Sequence, residues 1–309
     1  MVTPDDIRAA AERIRPWIRR TPVIRPGEGA FGLPFDLTLK LELFQHTGSF
    51  KPRGAFNNLL TRDVPAAGVA AASGGNHGAA VAYAAARLGY PATIFVPEIS
   101  SPAKIAAIRA HGAELVVEGA RYDDALARCE AHRAATGAIG VHAFDADETI
   151  AGQGTVALEW LEQAPDLDTL LVAVGGGGLI AGIAAFSAGS VRVVAVEPRD
   201  SRALQAALEA GGPVDVPVAG VAADSLGARN VGARVYAIAA RHVAAAVTVS
   251  DEAILEARRR LWRDLRIVAE PGGATALAAL VEGAYVPAAD ERVGVLVCGG
   301  NTDPATVAG

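Results

Sequence analysis

Cysteine is scarce: Cys129 and Cys298 are the only two in 309 residues. Two are too few for a disulfide framework and show no metal-ligand spacing, so both are expected as free thiols in a reducing compartment. An excess of positive charge is also missing. The 28 Lys and Arg against 34 Asp and Glu leave a net charge of −6, and no basic face runs along the chain, which removes the electrostatic footprint of a nucleic-acid binder. Where a secretory signal would carry a basic region and an apolar run, the N-terminus has Asp5 and Asp6. The longest uncharged stretch, residues 170–191, has the length of a membrane span but contains four consecutive glycines, so it reads as strand, loop and buried helix. These absences point to a cytoplasmic protein. Aromatics are few, at 5%. The 17 prolines follow no period, which excludes collagen-like and low-complexity chains.

What is present in excess is glycine, with 34 residues against roughly 7% in an average protein. Hydrophobic residues make up 51%, which excludes intrinsic disorder and, at this length, suggests about two domains. Thr3-Pro4-Asp5-Asp6 has the chemistry of a capped helix start, with Ile7, Ile14 and Ile18 near helical spacing. Leu37, Leu39, Leu41 and Leu43 alternate as a strand over 36–43, and a helix is predicted over 52–60. Further strands are predicted over 68–72, 92–96, 113–118, 169–174, 191–196 and 292–297. Helices are predicted over 79–88, 103–111, 122–136 and 179–187. Strands alternating with helices mean mostly parallel sheets covered on both faces.

In such folds ligands bind where strands lead into helices, and the glycine clusters sit at those junctions. Gly175, Gly176, Gly177 and Gly178 follow a strand and precede a helix. They can converge backbone N–H groups on an anion, or form a plain turn. Their pattern matches neither common nucleotide fingerprint. Ser73-Gly74-Gly75-Asn76-His77-Gly78 offers a hydroxyl, an amide and helix-terminal N–H groups suited to a carboxylate, or equally a capped helix entry. Lys51, between Phe50 and Pro52 at a helix start, is either a solvated surface lysine or one whose pKa is lowered by helix polarity and burial, as a Schiff-base lysine requires. Cys298, at a strand end before Gly299-Gly300-Asn301, is either a small buried hydrophobe or a ligand contact. Cys129, within a helix, takes the plain packing role.

Together these clusters resemble the serine/threonine dehydratase family of pyridoxal-phosphate enzymes, of the tryptophan synthase β fold type. The residues that carry the resemblance are Lys40-Leu41-Glu42, Gln45-His46-Thr47-Gly48-Ser49-Phe50-Lys51-Pro52-Arg53-Gly54-Ala55, the Ser73 loop, Gly112-Ala113-Glu114 and Phe144-Asp145. It continues through Ile150-Ala151-Gly152-Gln153-Gly154-Thr155, the tetraglycine with Leu179, Val196-Glu197-Pro198, Glu270-Pro271-Gly272-Gly273-Ala274 and Cys298-Gly299-Gly300-Asn301. It spans essentially the whole chain.

The resemblance implies an α/β fold of two lobes, each a mostly parallel twisted sheet flanked by helices, with pyridoxal 5′-phosphate in the cleft between them. Residues 1–66 and 146–309 would form the large cofactor-binding domain and 67–145 the small substrate-carboxylate domain, with no C-terminal regulatory domain and hence no feedback through one. It implies that Lys51 bonds the cofactor and later removes the substrate Cα proton. Gly175, Gly176, Gly177, Gly178 and Leu179 would hold the phosphate, Asn76 the ring oxygen, and Phe50 would pack by the ring. Ser73, Gly75 and His77 would line the carboxylate pocket, and Cys298 would face the ring nitrogen. A thiol there, with a reference pKa near 8.5, is a weak partner that leaves the nitrogen neutral, which suits β-elimination over transamination.

The implied activity is loss of water from L-threonine or L-serine, giving a 2-oxo acid and ammonia, in a cytoplasmic homodimer. Another lyase, a β-replacement enzyme or a racemase on the same fold are the alternatives, and a cofactor-binding protein without catalysis is set aside because Lys51, Asn76 and the tetraglycine are retained. Several positions depart from relatives. Serine racemases carry a second serine at the position of Gly74, so racemisation is disfavoured here. A metal site in some relatives pairs the glutamate at Glu197 with an aspartate six residues on, where this chain has Ala203, so no metal is expected. The family's Asp-Gly pair appears as Asp224-Ser225.

Overall fold

The structure is a computed structural model that describes residues 1–98, 100 and 102–307, apart from the side chains of 102–104. Among the described residues, ten strands form two sheets. In chain order they are β1 (Val23–Ile24), β2 (Leu37–Leu41), β3 (Val69–Ala72), β4 (Ala92–Val96), β5 (Glu114–Val117), β6 (Ile139–Gly140), β7 (Thr169–Ala173), β8 (Arg192–Pro198), β9 (Ala245–Val249) and β10 (Val293–Val297). The six-stranded sheet runs β1-β2-β10-β7-β8-β9 and the four-stranded sheet β5-β4-β3-β6. Every pairing is parallel except β1 with β2.

Helices supply the crossovers that parallel strands require. They are α1 (Pro4–Ile14), α2 (Pro52–Thr61), α3 (Asn76–Leu88), α4 (Pro102–Arg109), α5 (Tyr122–Thr136), α6 (Asp147–Gln163), α7 (Gly178–Ser187), α8 (Ala203–Ala210), α9 (Ala223–Leu226), α10 (Ala233–His242), α11 (Asp251–Leu265) and α12 (Pro271–Glu282). The α1 start is as the sequence indicates: Thr3 Oγ1 accepts from Asp6 N, Asp6 returns the bond to Thr3 N, and Pro4 fills the first helical position. Its end is not. The α-helix stops at Ile14, because Pro16 cannot donate to the next turn.

Strands β2, β7 and β10 are buried at every position, so the alternation read in residues 36–43 marks two covered faces rather than one wet face. Leu43 lies beyond the strand in a 3-10 turn. Helix α3 begins at Asn76, three residues earlier than expected, and Gly178 already belongs to α7. Residues 170–191 are strand, loop and buried helix as read, and no helix among the described residues is long and apolar enough to cross a membrane. The sequence reading missed α6 and the whole run α8 to α12. Part of the glycine excess belongs there: a Cβ on Gly182 would lie 2.8 Å from Gly154 Cα, and one on Gly152 2.7 Å from Gly54 Cα. The α6–α7 and α2–α6 crossings therefore need bare backbone.

Candidate active site

Sheet order decides which loops meet. Strand β10 lies between β2 and β7, so the residue after β10 stands between the segment that follows β2 and the loop that follows β7. That residue is Cys298. Its backbone O accepts from Phe50 N at 3.2 Å, and Ser49 bridges Gly299. Lys51 follows as the N-cap of α2, and its half-buried side chain extends to donate from Nζ to Ala143 O at 3.0 Å, with Nζ 5.1 Å from the Phe50 ring centre. Burial lowers the Lys51 pKa to about 8, against a pull upward from Cys298 and Glu270. A large share of this amine is therefore uncharged at mildly alkaline pH.

The wall continues through Phe144. A Cβ on Gly176 would overlap the Phe144 ring, one on Gly178 would stand 2.7 Å from Phe144 O, and one on Gly175 2.9 Å from Leu226 Cα. Gly177 has φ +84°, the left-handed turn that feeds α7. The tetraglycine is thus a backbone-lined cradle at a helix N-terminus, packed on both sides so that side chains are excluded. Beyond Leu226, Ser225 Oγ accepts from Gly272 N at 3.2 Å in the first turn of α12, and the Cys298 thiol donates to Gly272 O at 3.5 Å. Burial, with Glu270 nearby, raises the Cys298 pKa to about 12. It is a neutral thiol at any ordinary pH.

Asn76, at the start of α3, joins the ring from the four-stranded sheet. Its Nδ2 donates to Glu270 Oε1 at 2.7 Å, and its Oδ1 accepts from Asn301 Nδ2 at 2.7 Å. In the same loop, Ser73 Oγ accepts from Gly75 N at 3.2 Å. His77 is buried with Nε2–H donating to Val141 O at 2.9 Å, which leaves Nδ1 with its lone pair. Burial and nearby Lys51 push its pKa down to about 3. His77 is neutral, so the loop carries no charge of its own.

The structure accordingly brings Phe50, Lys51, Asn76, Cys298 and the tetraglycine with Leu179 into one site, with Ser73, Gly75 and His77 on the adjoining loop. Sequence reasoning assigned no role to Glu270, Asn301, Ala143, Ser100 or the Phe144 ring. Glu270 precedes Pro271 as the N-cap of α12, a signal that marks a helix start but not its contact with Asn76. Glu197 is fully buried and accepts from Leu204 N and Gln205 N, both at 2.7 Å. It is a hydrogen-bonded internal carboxylate, and burial raises its pKa to about 7. Gly74 needs a different account from the one expected. It has no side chain, but Ser100 Oγ fills the space its Cβ would take. The lack of a side chain at 74 is not the lack of a hydroxyl there.

The donor set fits pyridoxal 5′-phosphate. The cradle excludes side chains while leaving N–H groups, the amine is half-buried and partly neutral, and Ser49 Oγ, two residues before it, is buried with no hydrogen-bond partner. Fold and site define a class, an α/β enzyme that holds an anionic cofactor beside a partly buried lysine at the strand ends. The family model described as pyridoxal-phosphate dependent enzyme matches residues 14–299. Phenylserine dehydratase of Ralstonia pickettii is 42% identical over 303 residues, covering 96% of this chain and 92% of that protein. L-threonine ammonia-lyase of Geobacter sulfurreducens is 38% identical, covering 97% and 76%. The solved structure of maize serine racemase superposes with a TM-score of 0.92 at 35% identity, covering 99% of this chain and 95% of that one. The chain belongs to the pyridoxal-phosphate dependent enzymes of the tryptophan synthase β fold type, and its cofactor is pyridoxal 5′-phosphate.

Proposed function

We propose that the protein removes water from an L-hydroxyamino acid, L-threonine or L-serine, to give a 2-oxo acid and ammonia. The observation that carries this reading is the pairing of a partly neutral lysine with a neutral thiol: Lys51 is lowered to about 8 and Cys298 raised to about 12. When bound, pyridoxal 5′-phosphate supplies the electron sink that acidifies the substrate Cα–H. Lys51 Nζ, partly neutral and held at the start of α2, would take that proton. Gly175, Gly176, Gly177 and Gly178, with Leu179, would hold the phosphate by N–H groups at the start of α7. Asn76 would offer its remaining N–H to the ring oxygen, since its carbonyl is occupied by Asn301, and Phe50 would pack by the ring. Cys298, a neutral thiol, would be a weak partner for the ring nitrogen and add no charge there, which suits loss of the β-hydroxyl as water. Ser73, Gly75 and His77 line the pocket for the substrate carboxylate, His77 through backbone because its ring is neutral and tied to Val141.

The four-stranded sheet draws its strands from residues 69–140, which supports 67–145 as the small substrate domain and 1–66 with 146–309 as the large cofactor domain. A cytoplasmic homodimer is part of the proposal and is checked by light scattering on the purified protein. The deciding experiment is incubation of the loaded enzyme with L-threonine and L-serine. Formation of 2-oxobutanoate or pyruvate with equimolar ammonia is expected, and silence with both amino acids refutes the proposal. Serine racemisation is the second reading, favoured by the hydroxyl that Ser100 brings to the loop. Chiral chromatography for D-serine separates the two.

A further inference from the structure

Gly74 has an explanation that its backbone does not supply. Its φ lies outside the left-handed region, so any residue could adopt its conformation. What stands where a side chain would go is Ser100, whose Oγ lies 2.2 Å and whose Cβ lies 3.0 Å from the position a Cβ on Gly74 would take. Ser100 comes from the segment after β4, next to β3 in the sheet, with its N–H donating to Pro97 O at 3.0 Å. A bare position in one loop is therefore filled by a hydroxyl from the neighbouring one.

The loop that receives it is short of donors. No residue from Ser73 to His77 carries a positive charge, the His77 ring N–H is committed to Val141 O, and Gly75 N is committed to Ser73 Oγ. The N–H groups of the first turn of α3 have no partner within the helix. A carboxylate has about four acceptor sites to satisfy. Here it would have to be held by neutral donors alone, and each hydroxyl then matters more.

We propose that Ser100 is a substrate-binding residue whose hydroxyl, seated in the socket left by Gly74, donates to the α-carboxylate of the amino-acid substrate. The inference rests on the reading of this loop as the carboxylate pocket, and it assigns that pocket a residue from a second strand end.

Moving the hydroxyl tests it. Dissociation constants for L-serine and L-threonine are measured on the cofactor-loaded enzyme from the change in its visible absorption, beside KM and kcat. Ser100→Ala is expected to weaken both amino acids about tenfold, the scale of one lost hydrogen bond to a charged group, with KM rising far more than kcat falls. In Gly74→Ser/Ser100→Gly the hydroxyl returns from position 74 and affinity should recover to within about threefold of the parent, on the same scale. Gly74→Ala/Ser100→Gly refills the space without a hydroxyl and should stay as weak as Ser100→Ala. An unchanged affinity in Ser100→Ala overturns the proposal, and so does equal weakness of the two double variants. Circular dichroism and the cofactor spectrum of each variant separate misfolding from lost binding. A parent enzyme that binds both amino acids but releases no ammonia would refute the dehydratase reading, and the affinity comparison would still decide Ser100.

Discussion

Lys51 sits at a helix N-terminus, in partial burial, with one carbonyl 3.0 Å from its amine. All three conditions reduce the advantage of the charged form or fix the direction of the lone pair. The chain has only two other lysines, Lys40 and Lys104, and Lys40 is buried against Glu159, Thr21 O and Gln163. Borohydride reduction of the purified enzyme followed by peptide mapping should therefore place the cofactor mass on the Lys51 peptide alone; label elsewhere would count against this assignment. The thiols give a simpler check. Both are buried, with pKa values raised by burial to about 11 for Cys129 and about 12 for Cys298. A disulfide reagent should titrate neither in the native protein and both after denaturation. His77 predicts an acid limb. Its pKa is near 6.5 unfolded and about 3 folded, so between these values the unfolded chain binds the extra proton. The stability it contributes is complete above pH 6.5 and falls by about 1.4 kcal/mol per pH unit below it. His77→Gln, which keeps an N–H for Val141, should flatten the fall in urea stability between pH 6 and 4 by that slope; parallel curves would refute the neutral histidine.

At the scale of elements, the position of α2 depends on charges beneath it. Arg53, two residues beyond Lys51, is fully buried and bonded to both oxygens of Glu42 at 2.8 and 2.7 Å, to Glu159 Oε2 at 3.0 Å and to Thr155 Oγ1 at 3.2 Å. Lys40 on β2 completes the cluster through Glu159 Oε1 at 2.5 Å. Two positive and two negative groups thus pin α2 to β2 and α6, and they fix where the α2 start presents its lysine. Such a pair is costly to break because the remaining charge stays buried. Arg53→Met, which leaves two buried carboxylates with Lys40 as their one buried cation, is expected to lose about 3–5 kcal/mol in urea unfolding. A loss below about 1 kcal/mol, the size of an exposed pair, would mean that the cluster is solvated. Asp145 makes a second tie: its Oδ1 accepts from Val235 N at 3.0 Å in the first turn of α10, while its own N–H donates to His142 Nδ1 at 2.8 Å. The segment that carries Ala143 and Phe144 is thereby held from both ends. None of this was legible in a linear pattern. The Lys40-Leu41-Glu42 and Arg53 matches flagged the residues, but the partner on α6 lies in a helix that the sequence reading passed over.

At the scale of the molecule, the proposed cofactor site spans both sheets: the cradle, Lys51 and Cys298 stand at ends of the six-stranded sheet, and Asn76 at an end of the four-stranded one. A ligand bound only by the folded chain adds its binding free energy to folding, about 2.7 kcal/mol at a free concentration one hundred times Kd. Stripping the cofactor should lower Tm by several degrees in calorimetry, and re-addition should restore it. In Gly176→Ala, whose Cβ would strike the Phe144 ring, re-addition should restore little. Equal recovery by both proteins would show that the cradle is not the binding site.

The sequence by itself determined the class of fold and most of the alternating strands and helices between residues 37 and 136, because hydrophobic period, glycine clusters and capping residues are local and survive in a linear reading. Its element edges were off by up to three residues, where backbone pairing rather than side-chain pattern sets the limit. The tertiary structure alone decided what each site residue faces. That Cys298 gives its S–H to Gly272, that His77 is spent on Val141 and that Asn76 is oriented by Glu270 and Asn301 follow from strand ends brought together by sheet order. Gly74 shows the limit most clearly. A glycine in a sequence records only that a side chain is missing at that point of the chain, whereas the space beside it is filled from wherever the fold brings an atom, here Ser100.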